Sequence, residues 1–159
     1  MPADSVGQRS AWHADSELPL VVLDTNVWLD LYFFRDPAVA PLAQALQCGA
    51  VQAVRSDRTD AELCKVLVRP PFAAKLPPAS VTALLARWRG LARRAEADRC
   101  APWSCHDPDD QKFLDLAYST QARTLYTKDR ALLRLARCAR QDGLRIEQPR
   151  APVSPPRTP

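Results

Sequence analysis

The stretch "VVLDTNVWLD" (residues 21–30) passes from apolar residues to a carboxylate, a hydroxyl and an amide, and then becomes apolar again. With Leu20 before it, the apolar part is typical of a central strand in a parallel sheet covered on both faces. The polar triplet fits two interpretations. Asp24 either caps the helix that follows the strand, or it belongs to a functional site.

Beyond this stretch, apolar β-rich runs alternate with helical patterns. This alternation predicts an α/β fold with a mostly parallel central sheet. We expect one domain over residues 19–149, a disordered leader over residues 1–18 and a proline-rich disordered tail over residues 150–159. The predicted strands are "PLVVLD", "AVQAVR", "ARTLYTKD" and an edge strand "LRIEQP"; the predicted helices are "NVWLDLYFF", "DPAVAPLAQALQCG", "SDRTDAELCKVLVRPP", "PPASVTALLARWRGLARRAEA", "DPDDQKFLDLAYSTQ" and "RALLRLARCARQDG".

Composition narrows the class of protein. No apolar run approaches the roughly 20 residues of a membrane helix, and the N-terminus lacks the basic-then-apolar pattern of a signal peptide. We therefore expect a cytoplasmic protein that does not bind membranes. The chain has 5 cysteines, 2 histidines and no C-x-x-C pair, which favours reduced thiols over a zinc site.

Four acidic residues stand out by their positions. Asp24 and Asp129 each follow a predicted strand, where ligands of open α/β sheets bind. Glu62 lies in an amphipathic helix, and Asp110 lies at a helix start. Each also has a structural interpretation, as an N-cap, as a helix-dipole partner or, for Glu62, as the capping-box partner of Thr59.

A cluster of carboxylates at one sheet edge is destabilised by the repulsion between their negative charges. Two unit charges about 4 Å apart repel by on the order of 4 kcal/mol at an effective dielectric near 20. Raised pKa values, basic partners or a cation could relieve this, and carboxylate oxygens suit Mg²⁺ or Mn²⁺. Such ions could activate water against a phosphodiester. Lys128 and the arginine-rich helices could hold the substrate backbone, although solvated helix faces are the better explanation for most of these arginines.

Four motifs resemble the PIN-domain family, in particular the toxin components of bacterial type II toxin–antitoxin pairs (VapC-like ribonucleases). The resemblance extends from Leu20 to Pro149 and keeps the family's order. It departs at Cys105 and His106, where this branch commonly has arginine before "DPDD". The motifs are "VVLDTNVWL", "SDRTDAELCKVLVRPPF", "DPDDQKFLDLAYSTQARTLYTKDRALL" and "IEQP".

The resemblance implies a three-layer α/β/α sandwich that cleaves single-stranded RNA with Mg²⁺ or Mn²⁺. It also implies a cognate antitoxin and a homodimer. The family's acids, which bind metal and act in catalysis, fall on Asp24, Glu62, Asp110 and Asp129, and Asp107 matches a further acid often present in this branch. The implied supporting residues are Thr25, Asn26 and Thr127; those implied to contact substrate are Lys128 and Arg130.

Other functions remain open at this point. A non-catalytic PIN-like module that binds RNA or protein is the main alternative, although a pure binder gains little from four clustered acids. A haloacid-dehalogenase-like site needs an aspartate where Asn26 stands. A receiver domain needs its phospho-accepting aspartate after the middle strand, where this chain has "AVRSDRTD".

Overall fold

The computed structural model describes residues 18–150. Most of the predicted leader (residues 1–17) and of the predicted tail (residues 151–159) lie outside the described residues. Within residues 18–150, no helix is long and apolar enough to cross a membrane.

The core of the fold is a five-stranded sheet in which every pairing is parallel, with the order β3-β2-β1-β4-β5. This confirms the predicted α/β class and places the "VVLD" strand at the centre. The last predicted strand, "LRIEQP", does form an edge of the sheet. The strands are β1 (Leu20–Leu23), β2 (Gln52–Arg55), β3 (Ala92–Arg94), β4 (Thr124–Tyr126) and β5 (Arg145–Glu147).

Helices cover both faces of the sheet. The first helix continues into a π-turn over Asp30–Phe34 and ends at Arg35, whose φ of 52° is left-handed. Short 3₁₀ turns over Pro37–Val39 and Pro108–Asp110 precede two of the other helices. The helices are α1 (Thr25–Leu29), α2 (Ala40–Gln47), α3 (Asp57–Leu67), α4 (Phe72–Lys75), α5 (Pro78–Leu91), α6 (Gln111–Ser119), α7 (Arg130–Leu133) and α8 (Ala136–Gln141).

The alternation of side chains along β1 builds two apolar layers. Val21 and Leu23 pack with residues of α1, α2, α3 and α5 on one face. Val22 faces the other way, towards α6, α7 and α8, in a cluster that contains Phe113 and Leu132. A strand buried on both faces must be apolar throughout, which is why "LVVL" carries no polar residue before Asp24.

Two predicted helices differ in the structure. The long helix was expected to continue through "ARRAEA", but it ends at Leu91 and the chain then forms β3 beside β2. The Arg55 side chain supports this pairing, since its Nε donates a 3.1 Å hydrogen bond to the carbonyl of Ala92. The helix predicted at "RALLRLARCARQDG" is divided into α7 and α8.

The start of α3 also differs from the prediction. Ser56, not Thr59, is the N-cap, and Thr59 is its capping-box partner. The Ser56 hydroxyl accepts from the Thr59 amide at 3.3 Å, and the Thr59 hydroxyl accepts from the Ser56 amide at 2.9 Å. Glu62 therefore has no capping role and stands one turn further along the helix.

Candidate active site

Asp24 stands directly after β1, at the carboxyl edge of the sheet, and is 3% exposed. Its backbone carbonyl accepts from the amides of Val27 and Trp28, so its main chain starts α1. Its side chain caps nothing. Instead, Oδ2 accepts a 2.7 Å hydrogen bond from the Thr127 hydroxyl after β4. The backbone of Asp24 therefore begins α1, while its carboxylate is free of any capping role and points to a functional site.

Thr127 joins two of the predicted acids. It is fully buried, donates to Asp24, and accepts a 2.9 Å hydrogen bond from the amide of Asp129. The Asp129 carboxylate also has a structural task, since its Oδ1 accepts from the Ala131 amide at 2.6 Å and caps α7. One oxygen of Asp129 thus caps α7, and the Thr127 hydroxyl links the backbone of Asp129 to the carboxylate of Asp24.

Glu62 reaches the same region from α3. The Thr25 hydroxyl, next to Asp24, donates a 2.8 Å hydrogen bond to Glu62 Oε1. The ammonium of Lys112, on α6, forms an ion pair with Glu62 Oε2. Thr25 and Lys112 therefore hold one carboxylate between them, and this contact joins α1, α3 and α6 at the site.

Asp110 shares the electrostatic field of the other acids. Partial burial, together with the charges of Asp129, Asp24, Asp107 and Glu62, raises its pKa from 3.8 to about 7. Burial also raises the pKa of Asp24, while the hydrogen bond from Thr127 opposes this shift and the charge of Glu62 adds to it. The five carboxylates thus act on one another. Asp107 is exposed, and its Oδ1 accepts from the Asp109 amide at 2.9 Å.

The supporting residues surround Asp24 in different ways. The Thr127 hydroxyl donates to its carboxylate, and the backbone amides of Thr25 and Asn26 lower its pKa. The Thr25 hydroxyl donates to Glu62, and Asn26 is exposed. His106 is also exposed, whereas Cys105 beside it is buried, and this burial raises the pKa of its thiol.

The two residues expected to contact substrate lie in different surroundings. The Lys128 ammonium forms ion pairs with Asp30 at 2.5 Å and Asp36 at 3.4 Å, both on the segment that follows β1. These carboxylates raise the pKa of Lys128. Arg130 is exposed at the first position of α7, directly after Asp129.

Lys112 was not predicted as a site residue. It is the second residue of α6, where the positive end of the helix dipole makes a cation unfavourable. That unfavourable position is the signal in the sequence that could have identified it. Its partner Glu62 is 50 positions away, so the pairing itself follows from tertiary structure.

The donor chemistry of the site fits a hard divalent ion. Carboxylate oxygens are the ligands that Mg²⁺ and Mn²⁺ prefer, and a cation would relieve the repulsion that raises the pKa of Asp110. Within residues 18–150, no three His, Cys, Asp or Glu side chains lie close enough to hold one ion together. Mg²⁺ is usually held by one or two carboxylates with waters and phosphates, so the residues present suit it.

These features define an α/β protein with an acidic site at the carboxyl edge of a parallel sheet. The PIN domain family model matches residues 20–131, a span that contains Asp24, Glu62, Asp110 and Asp129. The chain therefore belongs to the PIN-domain family, whose members are generally nucleases. No curated protein gives a significant match to the chain.

Proposed function

We propose that this PIN-domain protein is a metal-dependent endoribonuclease that cleaves single-stranded RNA. The observation that carries the proposal is that carboxylates from separate segments meet at one sheet edge, where the Thr127 hydroxyl links Asp24 to Asp129. Partial burial, together with the repulsion of neighbouring carboxylates, raises the pKa of Asp110 there to about 7. A protein that only binds RNA gains nothing from such repulsion, because the same charges repel phosphates. A site that takes up a divalent ion needs this excess of negative charge.

Asp24, Glu62, Asp110 and Asp129 would hold Mg²⁺ or Mn²⁺, one or two of them in direct contact with the ion and the others through the waters that it keeps. Asp107 would be an additional ligand at the exposed edge. When bound, such an ion polarises a phosphoryl oxygen and makes water a stronger nucleophile. Neighbouring hydroxyl groups hold the carboxylates in position. Thr127 fixes the rotamer of Asp24 and the backbone at Asp129, and Thr25 fixes Glu62. These contacts keep the carboxylates in place as an RNA strand approaches.

An arginine face beside the pocket supports an RNA substrate. Residues 130–141, which form α7 and α8, contain four arginines and no acid, and the whole chain has a net charge of +4. Arg130 on α7, Arg134 at the turn between the two helices and Arg137 on α8 are exposed, whereas Leu132 and Ala139 are buried. Within residues 18–150 none of these three forms an ion pair. Unneutralised arginines that begin next to Asp129 suit the phosphates of a strand entering the site.

We further propose that the protein is the toxin of a toxin–antitoxin pair and acts in the cytoplasm as a homodimer. The support is the resemblance of the "DTN" and "DPDD" motifs to that branch of the family. An acidic pocket offers an antitoxin a place for a basic segment, which would compete with the metal. Co-expression with the product of a neighbouring reading frame should restore the growth of cells that this protein arrests.

The direct test is digestion of a labelled single-stranded RNA with Mn²⁺, with EDTA, and by the Asp24→Asn variant. We expect cleavage by the wild-type protein with Mn²⁺, and none in the other two cases. Asp142→Asn is the matched control, since Asp142 is exposed at the end of α8. Cleavage in EDTA would contradict the proposal. RNA binding without cleavage in Mn²⁺ would favour the non-catalytic module.

A further inference from the structure

Lys112 and Glu62 form an ion pair inside the acidic site. Their side chains are 14% and 21% exposed, so water screens this pair less than a surface pair. The other oxygen of Glu62 is occupied as well, because Oε1 accepts from the Thr25 hydroxyl. Both oxygens of this predicted metal ligand therefore have partners already, and one of them is a cation.

The pairing is selective within the site. Of the four acids Asp24, Glu62, Asp110 and Asp129, Glu62 alone forms an ion pair with a basic side chain among residues 18–150. Two other basic residues near the sheet edge form ion pairs outside these four acids. Lys128 is paired with Asp30, and Arg55 with Asp60. Lys112 is thus the positive charge that the fold itself places among the carboxylates.

We propose that Lys112 is a built-in counter-ion that occupies Glu62 in the metal-free protein, and that a divalent ion must displace it. This inference rests on the proposed metal site. A lysine ammonium is a compact charge on a flexible stem, so it can leave one carboxylate without moving the backbone. The acids are then partly neutralised at low metal concentration, and the affinity for the ion is set by competition with Lys112.

The first test examines the pair without metal. Thermal unfolding in EDTA is compared for the wild-type protein, Lys112→Met, Glu62→Gln and the double variant. We expect the double variant to lose less melting temperature than the two single losses added together, because either substitution already breaks the pair. Strictly additive losses would show that Lys112 and Glu62 do not interact, and would overturn the role of Lys112 while leaving the metal site untouched.

The second test measures Mn²⁺ binding directly by titration calorimetry. We expect Lys112→Met to bind Mn²⁺ roughly tenfold more tightly than the wild-type protein, because a positive charge beside a divalent ion is removed. Lys65→Met is the matched control, since Lys65 is exposed on α3 one turn from Glu62, and it should leave the affinity unchanged. If Lys112→Met binds Mn²⁺ and the wild-type protein does not, the inference is supported even more strongly.

Two results would overturn the inference. Unchanged affinity in Lys112→Met would show that the ion and the ammonium do not compete. Weaker affinity would show that Lys112 holds Glu62 in a metal-ready position instead. In both cases a loss of binding in Asp24→Asn would still uphold the metal site, so the two proposals fail separately. If no variant binds Mn²⁺, the proposed metal dependence fails, and the competition fails with it.

Discussion

The hydroxyl of Thr127 donates a 2.7 Å hydrogen bond to Oδ2 of Asp24, across 103 positions of the sequence. The Thr127 hydroxyl oxygen in turn accepts from the amide of Asp129. Because β1 and β4 are adjacent parallel strands, their carboxyl ends meet, and one buried hydroxyl can join the acids that follow both. This hydrogen bond brings the acids that follow β1 and β4 into one site.

Replacing Thr127 by valine keeps the volume of the side chain and removes the hydroxyl. The change leaves Asp24 Oδ2 and the Asp129 amide without their partner, so we expect a loss of about 1–3 kcal/mol in the free energy of unfolding. Because the lost hydrogen bond opposes the raised pKa of Asp24, Mn²⁺ binding should also weaken. Urea unfolding and a Mn²⁺ titration measure the two effects.

Thr124→Val is the matched control for this experiment. Thr124 is 2% exposed on the same strand and has no contact with Asp24 among the hydrogen bonds of residues 18–150. Its substitution should leave Mn²⁺ affinity unchanged. Equal effects of both substitutions on Mn²⁺ affinity would show that Thr127 contributes only to the packing of β4.

The stability of the metal-free protein should fall as the pH rises from 3.8 to about 7, and should then level off. The folded pKa of Asp110, about 7, lies above the ordinary value of 3.8, so folding favours the protonated carboxyl. Its contribution is fully present below pH 3.8 and is lost as the pH passes the folded value. The raised pKa of Asp24 acts in the same direction. Urea midpoints in EDTA between acid and alkaline pH measure this loss.

Asp110→Asn should remove most of that pH dependence and make the protein more stable than the wild type at alkaline pH. Asp109→Asn is the control, since Asp109 is the exposed neighbour and should leave the pH profile as it is. A wild-type midpoint that rises between pH 3.8 and about 7 would contradict the assigned pKa of Asp110.

The arginine face of α7 and α8 should control RNA affinity. Replacing Arg130, Arg134 and Arg137 by glutamine removes three phosphate contacts if each arginine binds one phosphate. For single strands, the slope of log affinity against log salt should then become shallower by about 2. Fluorescence anisotropy with a labelled RNA, in the inactive Asp24→Asn background, measures binding without cleavage.

A second triple variant controls for net charge. Arg89, Arg93 and Arg123 are exposed outside α7 and α8, and their replacement by glutamine changes the total charge equally. We expect this variant to keep the salt slope of the parent protein. Equal slopes in the two triple variants would show that RNA responds to the overall charge and not to this face.

Much of the fold could be predicted because its decisive strands are buried on both sides. β1 and β4 are bounded by polar residues, and their carboxyl ends deliver Asp24 and Asp129 to one edge of the sheet. The parallel class followed from the alternation of these strands with helices. The positions of these two acids therefore needed no tertiary information beyond the rule that ligands bind at strand ends.

The missed features depend on contacts between distant segments. In β3, Ala92 is buried while Arg93 and Arg94 are exposed, so its sequence reads as the end of the preceding helix. The strand forms because β2 lies beside it. The ion pair of Lys112 with Glu62 likewise needs α3 and α6 to meet. The spacing of apolar residues in a sequence indicates which face of a helix is buried, but it does not indicate which other helix packs against that face.

The capping box was misplaced for a local reason. Thr59 and Glu62 have the spacing of a box, but so do Ser56 and Thr59, and the strand β2 ends directly before Ser56. The earlier pair makes the hydrogen bonds because the helix starts there. We expect Ser56→Ala to cost about 1 kcal/mol in the free energy of unfolding, with little effect on Mn²⁺ binding.

The central claim is that the side chains around Asp24 share a divalent ion, and the most direct test is the melting temperature with and without Mn²⁺. At about a hundred times its Kd, the ion should stabilise the wild-type protein by about 2.7 kcal/mol, which corresponds to about 5–10 °C for a domain of this size. Asp24→Asn should remain folded and lose most of that shift. Equal shifts in the wild-type protein and in Asp24→Asn would contradict the claim.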